Sequence, residues 1–490
     1  MSPAHHGEPR RWLALVLAAV VVVGGALVAH AATSTPPPGL PPVPGAVVST
    51  TAAESSAWYC TGQTTATGQL AVGSVDLTNT GTNAVSGSIT AFSDTGAAVA
   101  TPVVVPARSQ FVTPVPNLTG SWVSQSVVLS GGGVAVSQSV HGASGWSEAP
   151  CVSGTAQQWY FPSGTTSGSS DLYVALFNPT STPDVVDLTF VTPTGIYHPI
   201  SFQGIVLQPQ QTVVENVGTY VQNQSSVAVT VATRTGRVVA GETQVFGGTA
   251  SGLAIVPGSP SPERQWTIPQ SEELAGGTSF IDIYNPGSTT EEVTVRARLD
   301  SGALPPFQSQ VLPDSVWTLA TSNQTRIPKA SGDSGGYSTI IDATGGPGVV
   351  VGRLVSAPPT AITPQAGTSN AVDALSAQAS AHLWVVPSPG SAASPAMAGA
   401  APTAVALTNP SDAFETYVIY VMTPDGFSVL TRGQLPASTF ITLSGKVLAS
   451  AGLHPLLVKA SGSVAVSQNI GPAGAYGVVT MPGIPLSSDG

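Results

Sequence analysis

Trp159-Tyr160-Phe161-Pro162, followed after a gap rich in glycine and serine by Asp171-Leu172-Tyr173-Val174-Ala175-Leu176-Phe177-Asn178-Pro179, is one copy of a unit that occurs four times. The copies open at Trp58, Trp159, Trp266 and Trp384, at spacings of 101, 107 and 118 residues. Each spacing is close to the size of one small all-β domain. In every copy a strand-like run ends at an asparagine: Asn79, Asn178, Asn285 and Asn409. Apolar residues stand four and two positions before it: Val75 and Leu77, Val174 and Leu176, Ile281 and Ile283, Val405 and Leu407. That period of two places each pair on one face of a pleated strand. Asparagine starts a turn, and the proline that follows it in three copies has no N–H for the ladder and stops the strand.

A second strand follows in each copy and ends in a turn glycine, Gly96, Gly195, Gly302 or Gly426. Its apolar positions are Ile89 and Ala91, Leu188 and Phe190, Val295 and Ala297, Ile419 and Val421. Thr90, Thr189, Arg296 and Tyr420 lie between them and read as the solvent face of a half-buried strand. A third landmark is a proline before another strand: Pro106, Pro209, Pro313, Pro436. Each copy then closes on what reads as a hairpin, such as Leu456-Leu457-Val458 to Val464-Ala465-Val466. Val-Ala-Val-Ser-Gln recurs at 134–138 and 464–468, and four matched landmarks in four copies define a repeat.

The composition agrees. Of 490 residues, 42% are hydrophobic and 8% charged, with 53 Gly and 43 Pro, a mixture that suits short strands and many turns and not long helices. The formal charge of −11, with no basic run beyond Arg10-Arg11, excludes the phosphate neutralisation that nucleic-acid binding needs.

Residues 12–29 carry no charge and follow Arg10-Arg11. As a helix they reach ~27 Å, about the bilayer core, and the flanking positive charge directs the rest of the chain outward. Two readings stand: an uncleaved signal anchor, which the length of the run favours, and a signal peptide cleaved after Ala31 in Ala29-His30-Ala31, which gives a secreted chain. A twin-arginine export signal is a third, thinner reading. Residues 34–46 are proline-rich and read as an extended spacer, or as padding. The two cysteines, Cys60 and Cys151, flank the first copy, and in an exported protein an even count predicts a disulfide between them.

The expected order is a cytoplasmic tail (1–11), a transmembrane signal anchor (12–30), a Pro-rich stalk (31–54) and β-sandwiches at 55–153, 154–262, 263–380 and 381–485. Each would enclose its own dry interior. The succession W-Y-F-P, glycine-rich gap, L-x-L-x-N-P-like strand, turn glycine and L-P resembles a repeat of bacterial extracellular proteins. With its WYC opening and N-terminal apolar segment, the chain is similar to a family of actinobacterial secreted or membrane-anchored proteins of unknown function. The resemblance covers nearly all of residues 50–485, is best in copies two and three, and is looser in copy one, where Asn79 precedes Thr80. It implies immunoglobulin-like β-sandwich modules and carries no catalytic or binding residue to transfer.

One string looks catalytic. Gly332-Asp333-Ser334-Gly335-Gly336 matches the surroundings of a serine-protease nucleophile, with Ser334 attacking and the amides of Gly332 and Ser334 as oxyanion hole. Its partner motif is missing: His141 and His198 sit in unrelated settings. A strand, not a helix, follows the serine. A polar turn of Gly, Asp and Ser explains the string better. The histidines His5, His6, His30, His141, His198, His382 and His454 make no zinc spacing inside the repeats, and no cofactor motif is readable. The four Trp read as core residues, with ligand platforms as the alternative.

These observations lead to an expectation of a non-catalytic, membrane-tethered extracellular protein on the cell membrane. Its four immunoglobulin-like β-sandwich domains would serve structural or adhesive contacts with a cell-envelope protein or polysaccharide. The alternatives are a glycan or cell-wall-polymer binder, using exposed aromatics such as Tyr284 and Tyr420, and a serine hydrolase built on Ser334.

Overall fold

Each copy is built on the strand that ends at its asparagine or, in copy four, just before it: Val72–Asn79, Asp171–Asn178, Thr278–Asn285 and Ala401–Thr408. The apolar pairs on these strands are fully buried, at 0% exposure in every copy. The computed structural model describes residues 45–247, 252–273, 277–329, 336–356, 369–371, 375–376, 381–389, 401–471 and 479–487. They fall within one unit, Pro44–Gly490; the other unit, Met1–Val43, lies outside the described residues.

Copy two shows the plan. In one sheet the Asn strand lies between Gln211–Asn216 and Val239–Phe246, with Gly252–Pro257 beyond the latter. In the other, Asp184–Thr192 pairs with Gly195–Tyr197, Ile205–Leu207 and Ala228–Thr235, which in turn pairs with the Trp strand Gln158–Phe161. Trp159, Leu176, Leu188, Phe190 and Val231 meet between the sheets. The turn glycines Gly96, Gly195, Gly302 and Gly426 have φ of 84°, 140°, 132° and 147°. A Cβ at any of them would touch nothing within 4 Å, so the backbone conformation alone demands glycine.

The asparagine holds the two halves of a copy together. Asn178 Nδ2 donates to Thr182 O (2.7 Å) and Leu207 O (3.3 Å), and its Oδ1 accepts from the N–H of Thr180 (2.8 Å). Asn79 bonds Asn83 O, Val105 O and the N–H of Gly81 in the same way. Asn285 bonds Thr289 O, Val311 O and the N–H of Gly287. Asn409 bonds Ala413 O, Leu435 O and the N–H of Ser411. All four are 0% exposed. One amide therefore closes the turn after its own strand and grips the strand before the landmark proline. In copies two and three that gripped strand belongs to the facing sheet.

The expected fold class needs correction in several respects. The described strands form six sheets, and in copies one and four the two halves run on into a single eight-stranded sheet. In copy one the halves are joined by the parallel pairing of Thr64 with Val72. In copy four they are joined by the 16-residue strand Leu456–Gly471. That strand is no hairpin: its first part pairs with the Trp strand and its second with the Asn strand, so the segment passes from one half of the copy to the other.

The cores are not four separate interiors either. Phe92 of copy one packs in the core of copy two, and Tyr160, Val191 and Ala228 of copy two pack in that of copy three. Val385, Met481 and Ile484 of copy four pack with Val75, Leu77 and Trp58 of copy one. The copies thus close in a cycle. Their final strands, Gly145–Pro150, Gly252–Pro257, Ser369–Ala371 and Val479–Pro482, each touch the next, and the fourth touches the first. The first and last described segments seal this closure: Val48 N–H donates to Pro485 O (2.9 Å) and Ser487 N–H to Val48 O (2.9 Å).

The membrane expectation is also corrected. Among the described residues no helix is long and apolar enough to cross a membrane, and the α-helix Gly445–Leu448 has 4 residues. The segment expected as a signal anchor, 12–30, lies outside the described residues, as do the tail and most of the stalk. The transmembrane helix, the membrane as a partner and the single-pass cell-membrane location therefore have no support in the structure.

Replacing Asn178 with Ala strands the buried Leu207 carbonyl and frees the Thr182 carbonyl and Thr180 amide of the turn, and urea unfolding is expected to show a loss of about 2 kcal/mol. Asn178→Asp should cost at least as much, because it sets a carboxylate oxygen against two carbonyls. A loss below about 1 kcal/mol in both variants would show that the amide is not a structural tie.

Candidate functional site

The junctions between copies carry the chemistry of the molecule, and they share one geometry. In three copies the residue before the asparagine meets the Trp strand of the preceding copy or the strand paired with it. Phe177 lies 6.3 Å from Tyr59 and 5.3 Å from Phe92, ring centre to ring centre. The Tyr284 hydroxyl bonds Thr230 Oγ1 at 2.8 Å, and Thr408 Oγ1 donates to Pro269 O at 3.0 Å. At the closing junction Gln110, on the strand paired with the first Asn strand, bonds Ser388 twice: Nε2 to its carbonyl and Oε1 from its N–H, both 2.8 Å. Tyr284, expected as an exposed contact aromatic, is therefore buried, and burial pushes its phenol up to about 12. Tyr420 is half-buried against Phe427.

A cleft of about 250 Å³ opens where copies three and four meet. Gln270 and Glu272 come from the end of the third Trp strand, and Asp300 from the turn before Gly302. Thr403, Phe440, Thr442, Ser444 and Asn469 come from copy four. Gln270 Nε2 donates to Glu272 Oε1 at 2.8 Å. Beneath them Arg353 is 4% exposed; its Nη1 donates to Gln270 O and Ser271 Oγ, both at 2.6 Å, and its Nη2 to Thr480 Oγ1 at 3.2 Å. Thr480 in turn bonds Asn469 Oδ1 at 2.9 Å. Burial raises the Glu272 pKa, against the lowering pull of Arg353 and Gln270.

Other buried polar groups have structural tasks. Gln138, Glu242, Arg353 and Gln468 occupy one register position, opposite Val75, Val174, Ile281 and Val405. Gln138 Nε2 reaches Thr61 O (3.0 Å) and Gln468 Nε2 reaches Pro387 O (3.0 Å), each serving the end of its own copy's Trp strand. Glu242, 1% exposed, has its pKa raised well above the usual range by burial. Six positions after the asparagine, copies two, three and four carry a buried acid: Asp184, Glu291 and Glu415. Glu291 Oε1 accepts from the N–H of Gly348 (2.8 Å), and Glu415 Oε2 from Ser461 Oγ (2.6 Å). A Cβ on Gly236 or Gly462 would collide with Asp184 or Glu415, so glycine and acid come as a pair. Sequence reasoning missed these acids, although their fixed offset from the asparagine was a readable signal.

The residues singled out from sequence fall as follows. Trp58, Trp159, Trp266 and Trp384 are all buried. Trp159 and Trp266 Nε1 donate to Val238 O and Val349 O at 2.9 and 2.7 Å, whereas Trp384 bonds Ala381 O within its own strand. Cys60 and Cys151 form a disulfide with a Cα–Cα distance of 4.7 Å. Ser334 lies outside the described residues, as do His5, His6 and His30. His198 Nδ1 bonds Thr189 Oγ1, His382 and His454 are exposed, and His141 is half-buried with its pKa lowered by burial. Among the described residues no three His, Cys, Asp or Glu side chains are grouped to hold a metal ion.

Against known proteins, a model described as a family of unknown function, DUF5719, matches residues 116–316. The comparison with curated proteins finds no match. Among solved structures, one described as the "Crystal structure of tetra-tandem repeat in extending region of large adhesion protein" aligns at 11% identity, covering 88% of this chain and 99% of that one, with a TM-score of 0.12.

Asp76 gives a pH test. It is 2% exposed on the first Asn strand; burial raises its pKa to about 7, against hydrogen bonds from Ser74 and Ser139 that lower it. The folded molecule keeps a proton that the unfolded chain sheds near 3.8. Stability is therefore greatest below that value, falls as pH rises towards 7 and is flat above, by ~4 kcal/mol at most. Urea midpoints are expected to be higher at pH 5 than at pH 8, and Asp76→Asn should flatten the slope. A wild-type midpoint that rises with pH would refute the buried, protonated state.

Proposed function

We propose that this chain is an extracellular, non-catalytic β-scaffold that works as one closed body of four repeats. The observation that carries the reading is the closure itself: the first and last described segments pair, and copy four lends Val385, Met481 and Ile484 to the core of copy one. A chain of independent modules has no use for a shared core at its two ends. The Cys60–Cys151 disulfide supports an oxidising compartment outside the cell. The buried polar side chains described above are committed to turns, strand ends and junctions, which supports a structural over a catalytic role.

Two measurements test the proposal. Calorimetry should show one cooperative transition for residues 45–490, and truncation after Gly483 should lower the stability of copies one and four together. Four independent transitions would return the molecule to separate modules. A fluorophosphonate probe is expected to leave the protein unlabelled; labelling abolished by Ser334→Ala would make it a hydrolase. Reduction of the disulfide, which closes a loop of 91 residues, should destabilise the protein by roughly 4–5 kcal/mol on the loop-entropy model.

A further inference from the structure

The cleft between copies three and four presents acceptors to solvent and keeps its strongest donor out of reach. The Arg353 guanidinium is buried beneath it and already bonded to Gln270 O, Ser271 Oγ and Thr480 Oγ1. The two acids of its lining are Glu272 and the exposed Asp300, and Thr403, Phe440, Thr442, Ser444 and Asn469 stand with them. A second observation points the same way. Gln270 lines the cleft, is 2% exposed, and spends its amide N–H on Glu272, while its Oε1 has no hydrogen-bond partner. A buried amide oxygen without a donor is costly, of order 1–3 kcal/mol, and native structures keep few of them.

The missing chemistry is therefore a donor-rich, positively charged group. An ammonium or guanidinium supplies three or five N–H donors and no acceptor. On an aliphatic stem it also suits a slot with an aromatic side chain in its wall. The volume, about 250 Å³, admits one such side chain and not a folded partner. We propose that this cleft is a recognition site for a lysine- or arginine-type side chain of a peptide, with Glu272 as its charge partner and Asp300 at the mouth. The site rests on the junction of copies three and four and not on the closure of copy four onto copy one, so either inference can fail alone.

The test uses the whole protein and two blocked amino acids, N-acetyl-lysine methylamide and its uncharged isostere N-acetyl-norleucine methylamide, observed by saturation-transfer NMR. The lysine probe is expected to bind and the norleucine probe to bind at least tenfold more weakly. Binding should weaken at least fivefold in Glu272→Gln and in the exposed variant Asp300→Asn, the latter guarding against a folding defect in the former. Added salt should weaken it further. Equal binding of both probes, lysine binding unchanged in both variants, or no lysine binding at millimolar concentration would each overturn the proposal.

Discussion

A buried amide is the hinge of each repeat. Backbone groups at the end of a strand need partners, and where that strand end is buried there is no water to supply them. Asn79, Asn178, Asn285 and Asn409 meet that need with one side chain: an oxygen for the turn N–H two residues on, and an NH₂ for two carbonyls. No other side chain of this size offers both. Aspartate lacks the donors, and leucine lacks everything. Because the second carbonyl lies just before the landmark proline, the amide also fixes where the chain returns. The apolar pairs two and four residues earlier are thereby held in register against the facing strands.

Closure follows from how the sheets are covered. The Asn-strand sheet of a copy has one face on its own core, and the other face is not written for water. On copy two that face carries Tyr173, which stacks on Trp122 of copy one at 4.9 Å, and Thr243, which bonds Gly62 O at 2.7 Å. On copy three it carries Asp282, whose carboxyl pKa is raised by burial and whose Oδ1 accepts from Thr318 Oγ1 at 2.6 Å. Each copy covers its successor with its Trp strand. The outer face of the first copy, with Asp76 at 2% exposure, is covered by the fourth copy, which reaches round to it through Ser388 on Gln110. The pairing of Val48 with the chain after Ile484 is part of that reach.

This explains how much could be read from sequence. The alternation in the Asn strand and in the strand after it was legible, since one face of each enters a core: Ile89, Leu188, Val295 and Ile419 are all buried at 3% or less. The positions between them say only that they are polar, and polarity does not reveal what lies opposite. Tyr284 therefore passed for a surface aromatic although a neighbouring copy covers it. The segment Leu456–Gly471 passed for a hairpin because two apolar runs around a glycine look alike whether the chain turns back or crosses over. The acids Asp184, Glu291 and Glu415 were hidden for a related reason. Their neighbours, Gly236, Gly348 and Ser461, stand some fifty residues away, and a single charge in a strand carries no mark of being buried. The cleft draws on six separate stretches of two copies and had no local signature.

The disulfide shows the same constraint from another side. After its final strand each copy folds back to pair with the residue following its Trp: Tyr59 with Val152, Tyr160 with Ser259, Val385 with Ile484. The residue just before that pairing must pass the core. In copies two and four it is Gly258 and Gly483, where a Cβ would come within 3.0 and 3.1 Å of the Trp159 and Trp384 rings. In copy one the same place is Cys151, bonded to Cys60 two residues after Trp58. Where the other copies leave room for the indole, the first ties the two segments covalently. It is also the copy whose closing segment, after Pro150, lies against the strand that meets the last copy. A covalent tie there fixes the copy-one edge of the seam, which is where a cycle of repeats would otherwise open first.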